Sequence, residues 1–281
     1  MAKKKRTYKK RAYKKKNNFQ SYLSLFILII AFLGAYVFNE EIRFIYLKAR
    51  SVYTVYHQKY ISKTEADKIK KIISKYENQV FGLDISHYQG IVNWNKVQFL
   101  EDSTKVSFVI LRATMGENSS DKYFTYNWRE SKTKNIIRGA YHYYRPDENS
   151  EEQAKNFIKK VKLEKGDLPP VLDIEELSTT QNVKSLRKGI QNWLDLVEKE
   201  YKVKPILYTG DSFFRANIKG QGFDDYPLWI ANYNKKRNKP IAKDWIIWQF
   251  SDKGKATGIG EFVDLNVFDG KEKVFKYLLL E

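Results

Sequence analysis

Pro169-Pro170-Val171-Leu172-Asp173-Ile174-Glu175-Glu176 sets two carboxylates two positions apart in what otherwise reads as a buried apolar strand. Alternate side chains of a strand share a face, so Asp173 and Glu175 point one way while Leu172 and Ile174 point the other. Prolines are tolerated only where a strand begins, which puts Glu175 near its carboxyl end. In chains that alternate strands with helices, that end is where α/β barrels gather their chemistry.

Working outward, the same grammar repeats from residue 80 onward. Apolar strands are expected at 80–86, 106–112 and 138–144, then at the opening stretch, then at 204–209, 227–231, 245–250 and 262–267. Helices are expected near 94–99, over 123–135, 150–162 and 181–200, and briefly after 209, with little room for helices between the last three strands. The fold class is therefore α/β: an irregular, TIM-like β/α barrel, regular early and stripped of helices late. Asp84 sits between Leu83 and Ile85 as Asp173 sits between Leu172 and Ile174, and Asp264 repeats the arrangement on the last strand. Three strands thus offer Asp84, Asp173, Glu175 and Asp264 to a common mouth. Any one of them alone reads as a cap or an ion pair; their convergence favours a site, because burying unpaired carboxylates is costly.

The chemistry open to such a site is narrow. No cysteine occurs among the 281 residues, which excludes disulfides, thiolate nucleophiles and Cys-ligated metals. His57, His87 and His142 show no zinc-ligand spacing, so no metal and no cofactor is expected, and His142 reads as a packed core residue. Acids among Tyr and Trp point to carbohydrate hydrolysis, one carboxyl protonating the leaving oxygen and another stabilising an oxocarbenium-like state. Carboxyls on alternate residues start ~6.6 Å apart at Cα, which leaves inversion, retention and assistance by a substrate acetamido group all open. Tyr141, Tyr143, Tyr208, Trp229, Tyr233 and Gln249 are the candidate substrate contacts; the strand-end aromatics among them have the ring types that stack on sugars and equally those that fill cores.

The net charge of +18 is unevenly spread: residues 1–16 hold ten Lys or Arg and no acid, whereas residues 81–281 hold 32 basic and 28 acidic side chains. The barrel has no basic stripe, so nucleic acid is not an expected partner. From Asn17 to Asn39 there is no charge, and at 1.5 Å per residue the ~20 residues 19–38 just cross a ~30 Å hydrocarbon layer. The expected organisation is a basic cytoplasmic tail (1–18), a transmembrane helix (19–38), a helical stalk (39–79) and an exported catalytic domain (80–281), membrane-anchored and periplasmic or extracellular by the positive-inside rule. A cleaved signal peptide is the rival; the length of the basic region and the lack of a small-x-small site speak against it.

Together, Phe81-Gly82-Leu83-Asp84-Ile85-Ser86-His87-Tyr88-Gln89-Gly90, Gly139-Ala140-Tyr141-His142-Tyr143, Val171-Leu172-Asp173-Ile174-Glu175, Pro227-Leu228-Trp229-Ile230-Ala231-Asn232-Tyr233, Ile247-Trp248-Gln249-Phe250 and Val263-Asp264-Leu265-Asn266 resemble, in order and spacing, the glycoside hydrolase family 25 lysozymes. The resemblance covers about residues 81–270. It implies a modified β/α barrel and an endo-N-acetylmuramidase that cuts the β-1,4 bond between N-acetylmuramic acid and N-acetylglucosamine in peptidoglycan glycan strands, without a cofactor. By the family's D-x-E motif, Glu175 is implied as general acid and base, and Asp173 as the residue that orients the 2-acetamido group. Asp84 and Asp264 match the family's other two acidic positions. The tail, anchor and stalk depart from the minimal family domain and imply that only strands within reach of the tether are cut. The alternative is a cell-wall-binding or scaffolding module that keeps the cleft without turnover; the presence of all four acids argues against it.

Overall fold

The computed structural model describes residues 63–281 apart from 102, 235–239, 241 and 243, together with 26, 48 and 49. The expected tail and transmembrane segment therefore lie outside the described residues except for residue 26, as does most of the expected stalk before residue 63. Among the described residues, no helix is long and apolar enough to cross a membrane.

The described elements run as follows: α1 (63–75), β1 (Val80–Ile85), a small hairpin of β2 (Phe99–Leu100) and β3 (Thr104–Lys105), β4 (Phe108–Met115), the short β5 (Ser119–Ser120), α2 (Phe124–Lys132), β6 (Ile137–Tyr143), α3 (Ser150–Lys160), β7 (Val171–Asp173), α4 (Val183–Tyr201) and β8 (Ile206–Gly210). Then come α5 (Asp211–Phe213), prolonged as a wide helical turn through Ile218, β9 (Leu228–Ala231), β10 (Trp245–Gly254), β11 (Val263–Phe268) and α6 (Glu272–Phe275). Eight of the nine strands of the main sheet close on themselves, since β1 pairs with both β4 and β11, while β5 hangs from the end of β4. Successive barrel strands from β1 through β4 and β6 to β10 are parallel, and β11 runs antiparallel to both of its neighbours.

Strand alternation divides the apolar residues into two layers. Val80, Phe108, Ile110, Val171, Ile206, Ile247 and Phe268 fill the barrel, and Phe275 of α6 closes its floor against Phe108 and Phe268, with ring centroids 5.2 and 4.9 Å away. Leu83, Val109, Leu111, Leu172, Ile174, Leu207 and Ile230 face outward onto the helices. α4 meets them with Leu186, Ile190, Trp193, Leu194 and Val197, all buried, the i, i+4, i+7, i+8 spacing of one helical face. Asn182 caps its first turn by accepting from the Ser185 N–H, and Lys202 ends it in the left-handed region at φ 58°. α3 begins on Asn149, which accepts from the amides of Glu151 and Glu152, and has acids in its first turn and lysines in its last, in register with the helix dipole.

Two sequence expectations need correction. Residues 94–99 do not form a helix: 94–96 are a turn, and the backbone around them is committed elsewhere. Asn93 N bonds Gly258 O, the amides of Gln98 and Phe99 reach Thr257 Oγ1, and Val106 N bonds Gln98 O, so tertiary partners take the groups that a helix would use. The compact unit, moreover, begins at residue 63 rather than 80. Helix α1 lays Ile69 and Ile72 into the outer core and buries Glu65 and Lys68 as well. Its apolar residues, unevenly spaced in the sequence, serve a packed face rather than a free stalk.

Gly82 shows how tightly the barrel is filled. A Cβ built there would lie 2.5 Å from the Phe108 ring, which occupies the space a side chain would need. Gly82→Ala is expected to cost about 1–3 kcal/mol of stability by overpacking. Part of this should return when Phe108→Leu is added, as measured by denaturant unfolding of the two variants; equal stability of Gly82→Ala and the parent would contradict the packing described.

Candidate active site

Asp84 is the penultimate residue of β1, Asp173 ends β7, Glu175 follows two residues later, and Asp264 is the second residue of β11. A start-of-strand position would lie on the floor if β11 ran parallel to its neighbours. Because it runs backwards, Asp264 pairs directly with Asp84 at the mouth. The sequence pattern located Asp264 on the correct face, but only the direction of β11 brings it to this end.

A layer of neutral donors lies beneath the acids. Trp229 Nε1 donates to Asn266 Oδ1 at 2.9 Å, and Asn266 Nδ2 donates to Asp84 Oδ2 at 2.7 Å. An indole N–H only donates, so Asn266 must present its oxygen to Trp229 and its NH2 to Asp84. Gln249 is oriented in the same sense: the Tyr208 hydroxyl donates to its Oε1 at 2.7 Å, the Tyr233 hydroxyl also donates to it, and its Nε2 donates to Asp84 Oδ2 at 2.7 Å. Two aimed N–H groups thus favour an ionised Asp84, although burial outweighs them and leaves its pKa raised overall. Asp264 is pushed up to about 9, first by burial and then by the charge of Asp84, and its hydroxyl hydrogen-bonds Asp84. Burial and the neighbouring Asp84 thus favour a proton on Asp264, while the two amide N–H groups favour charge on Asp84.

The second pair follows the same logic nearer the solvent. Asp173 is buried, and its pKa is raised well above the usual carboxylate range, by burial first and then by the charges of Glu175 and Asp84, with Arg112 opposing. Glu175 is exposed at the rim; its pKa is raised by partial desolvation and next by Asp84, while a hydrogen bond from Asp173 lowers it. Asp173 Oδ1 is buried and, among the described residues, has no hydrogen-bond partner. A buried acceptor left open in a polar mouth is a place for a substrate donor.

The expected substrate contacts separate by exposure. Tyr233 is 38% exposed and Tyr143 is half-buried, with its hydroxyl donating to Glu176 Oε1 at 2.8 Å. Trp229, by contrast, is 1% exposed and packs against Tyr208 at 4.4 Å between ring centroids. Tyr208, Tyr141 and Gln249 are buried too. Of these four, Trp229, Tyr208 and Gln249 form the hydrogen-bond chain that reaches Asp84 from beneath. Tyr141 lies among the charges of Asp173 and Asp84, which, after burial, hold its hydroxyl in the protonated form.

His142 is the core residue its position implied. It is fully buried, stacks on Trp193 at 5.5 Å, bonds Thr114 Oγ1 and Gln153 Oε1 through its two ring nitrogens, and has its pKa lowered by burial to about 4. Among the described residues, no group of three or more His, Cys, Asp or Glu is arranged to hold a metal ion.

Arg112 escaped the sequence reading. Its charge lowers the pKa of both Asp173 and Tyr141, and it is itself anchored through Nε to Asp121 Oδ2 at 3.2 Å and beside His87. Its signal was present: 108, 110 and 112 share the inward face of β4, and Arg112 is the one charge in Phe108–Met115. Asn266 was quoted only as part of a motif; its side-chain amide is as closely engaged with Asp84 as that of Gln249.

With this geometry in place, comparison with known proteins is specific. The family model for glycosyl hydrolases family 25 matches residues 83–259. Uncharacterized protein YegX of Escherichia coli O157:H7 is 38% identical over 195 residues, 69% of this chain and 71% of the relative. Lysozyme M1 of Streptomyces globisporus is 31% identical over 215 residues, 68% of each chain. The crystal structure of a family 25 glycosyl hydrolase from Bacillus anthracis superposes with a TM-score of 0.64 at 29% identity, covering 73% of this chain and 95% of that one. Family match, relatives and barrel agree, and the chain belongs to glycosyl hydrolase family 25.

Proposed function

We propose that this chain is a peptidoglycan hydrolase of the muramidase type, cleaving the β-1,4 bond between N-acetylmuramic acid and N-acetylglucosamine with help from the substrate's own 2-acetamido group. The observation that carries the reading is the Asp173–Glu175 pair: one buried acid with an open oxygen, hydrogen-bonded to one rim acid, the two raised together. Lysozyme M1, the relative from Streptomyces globisporus, has a name that matches this activity.

The proton inventory explains the division of labour. Without substrate, burial favours a proton on Asp173, whose hydrogen bond to Glu175 favours charge on the latter. When an acetamido N–H engages the open Oδ1, the ionised form of Asp173 becomes the favoured one, and the shared proton passes to Glu175. Glu175 then protonates the glycosidic oxygen as the C1–O bond breaks. The acetamido carbonyl oxygen, polarised by Asp173, bonds C1 from the opposite face and closes a five-membered ring. Water next attacks C1, gives its proton to Glu175 and reopens the ring with retained configuration. Charge on Asp84, favoured by the amide N–H groups of Asn266 and Gln249, stabilises the positive charge that develops on the sugar in between.

The proposal extends to location. A charge-free apolar run over 19–38 behind ten basic residues supports a single membrane anchor with a cytoplasmic amino terminus and a barrel on the periplasmic or extracellular side. A tethered barrel cuts only strands within reach, which fits local wall remodelling rather than bulk lysis.

Glu175→Gln is expected to lower muropeptide release by about 10²–10⁴-fold with an unchanged thermal midpoint. Mass spectrometry of wild-type digests should show N-acetylmuramic acid at the new reducing ends; N-acetylglucosamine there would mean that a different bond is cut. Activity should fall on the alkaline side as pH rises through the raised pKa of the Asp173–Glu175 pair, because the single catalytic proton is then lost.

Asp264 carries a separate expectation. Its folded pKa of about 9 lies above the unfolded value of 3.8, so the folded state binds the extra proton between them and stability falls as pH rises across that window. Asp264→Asn, which still donates toward Asp84, should therefore melt higher than the parent at pH 8, with the gap closing near pH 4. Finally, the full chain should sediment with membranes and resist alkaline extraction, while a chain starting at residue 40 is released; a soluble full chain would remove the anchor.

A further inference from the structure

β10 is bulged beside the site. Gln249 pairs with Asn266 and Ser251 with Leu265, so Phe250 faces no partner residue on β11. A bulge of this kind re-aims neighbouring side chains, and it also leaves a backbone carbonyl that needs a donor. The donor comes from α1. Lys68 Nζ donates to Phe250 O at 3.0 Å, to Tyr233 O at 3.1 Å and to Glu65 Oε1 at 3.2 Å, while Glu65 Oε1 accepts from Ser251 Oγ at 3.1 Å. An ammonium has three N–H donors, and all three are in use. The two side chains are only 6% and 8% exposed.

The carbonyls held by Lys68 belong to neighbours of the Gln249 amide that aims at Asp84. One is that of Tyr233, whose hydroxyl bonds Gln249; the other follows Gln249 directly, and Gln249 donates to Asp84. Helix α1 lies outside the family match, which starts at residue 83. We propose that Lys68, seated by Glu65, is a positioning residue of this enzyme: it locks the β10 bulge to the Tyr233 loop so that the Gln249 amide stays directed at Asp84. The segment before the barrel is then part of the catalytic unit. Its activity readout rests on the muramidase reading, while the resonance readout below does not.

The test is made in the full chain. Removing one partner alone would strand a buried charge, so the pair is replaced together as Glu65→Leu/Lys68→Met, an exchange that buried ion pairs often tolerate. The expected result is a folded variant whose kcat on solubilised glycan strands is lower by about tenfold or more, with KM within about twofold, because the displaced group acts on the network rather than on ground-state binding. The Gln249 side-chain amide resonance should shift at the same time. Lys68→Arg serves as the second variant, since it keeps the charge but cannot place three donors on the same trio, and it should show the same loss in smaller measure. Wild-type kcat with an unmoved Gln249 resonance in a folded double variant overturns the proposal; should that variant fail to fold, the same result in Lys68→Arg overturns it. An inactive wild-type chain whose Gln249 resonance still shifts on clamp removal would reject the muramidase reading and keep the clamp.

Discussion

The structure depends on holding four carboxyl groups at one barrel mouth without ionising all of them. Burial raises the pKa of all four; the charge of Asp84 adds to it at Asp173, Glu175 and Asp264, and that of Glu175 at Asp173 and Asp264. The arrangement stands because the acids are grouped as two proton-sharing pairs. A proton is favoured on Asp264 beside Asp84, and on Asp173 beside Glu175. Two amide donors stabilise the remaining charge on Asp84, and Arg112 lowers the cost of charge on Asp173. Each pair thus has its own electrostatic complement, and the two differ in exposure: Asp84 is buried, whereas Glu175 of the other pair is exposed.

The supporting layer belongs to the chemistry as much as to the core. Trp229, Tyr208 and Tyr233 each contribute one N–H or O–H to an amide, and each amide passes its remaining N–H to Asp84. The rings of Trp229 and Tyr208 fill the barrel below. A single side chain thereby packs the interior and fixes a hydrogen-bond direction, so the floor is rigid where the acids need it. The same economy recurs outside the barrel, where the Lys68 ammonium satisfies carbonyls that a bulged strand could not.

Much of this was legible along the chain. Eight apolar runs of strand length, the long helix ending at Tyr201 and the inward phase of Asp84, Asp173 and Asp264 all follow from periods of two and 3.6. His142 read as core because nothing of metal-ligand spacing accompanied it. The role of Trp229 was not legible, since an indole at a strand end has the same local sequence whether it stacks on a sugar or donates downward; its 1% exposure decides the matter. Nor was the turn at 94–96, whose backbone partners at 257 and 258 lie more than 150 residues away.

By itself, then, the sequence determined which residues are apolar, which acids share a face of their strands, and that no thiol or clustered imidazole chemistry is available. These are properties of side-chain identity and local period. The tertiary structure decided the direction of β11, and with it the pairing of Asp264 with Asp84 at the mouth rather than its loss at the floor. It also decided which proton each pair keeps, because a carboxyl's pKa depends on the charges, donors and solvent that distant segments bring to it.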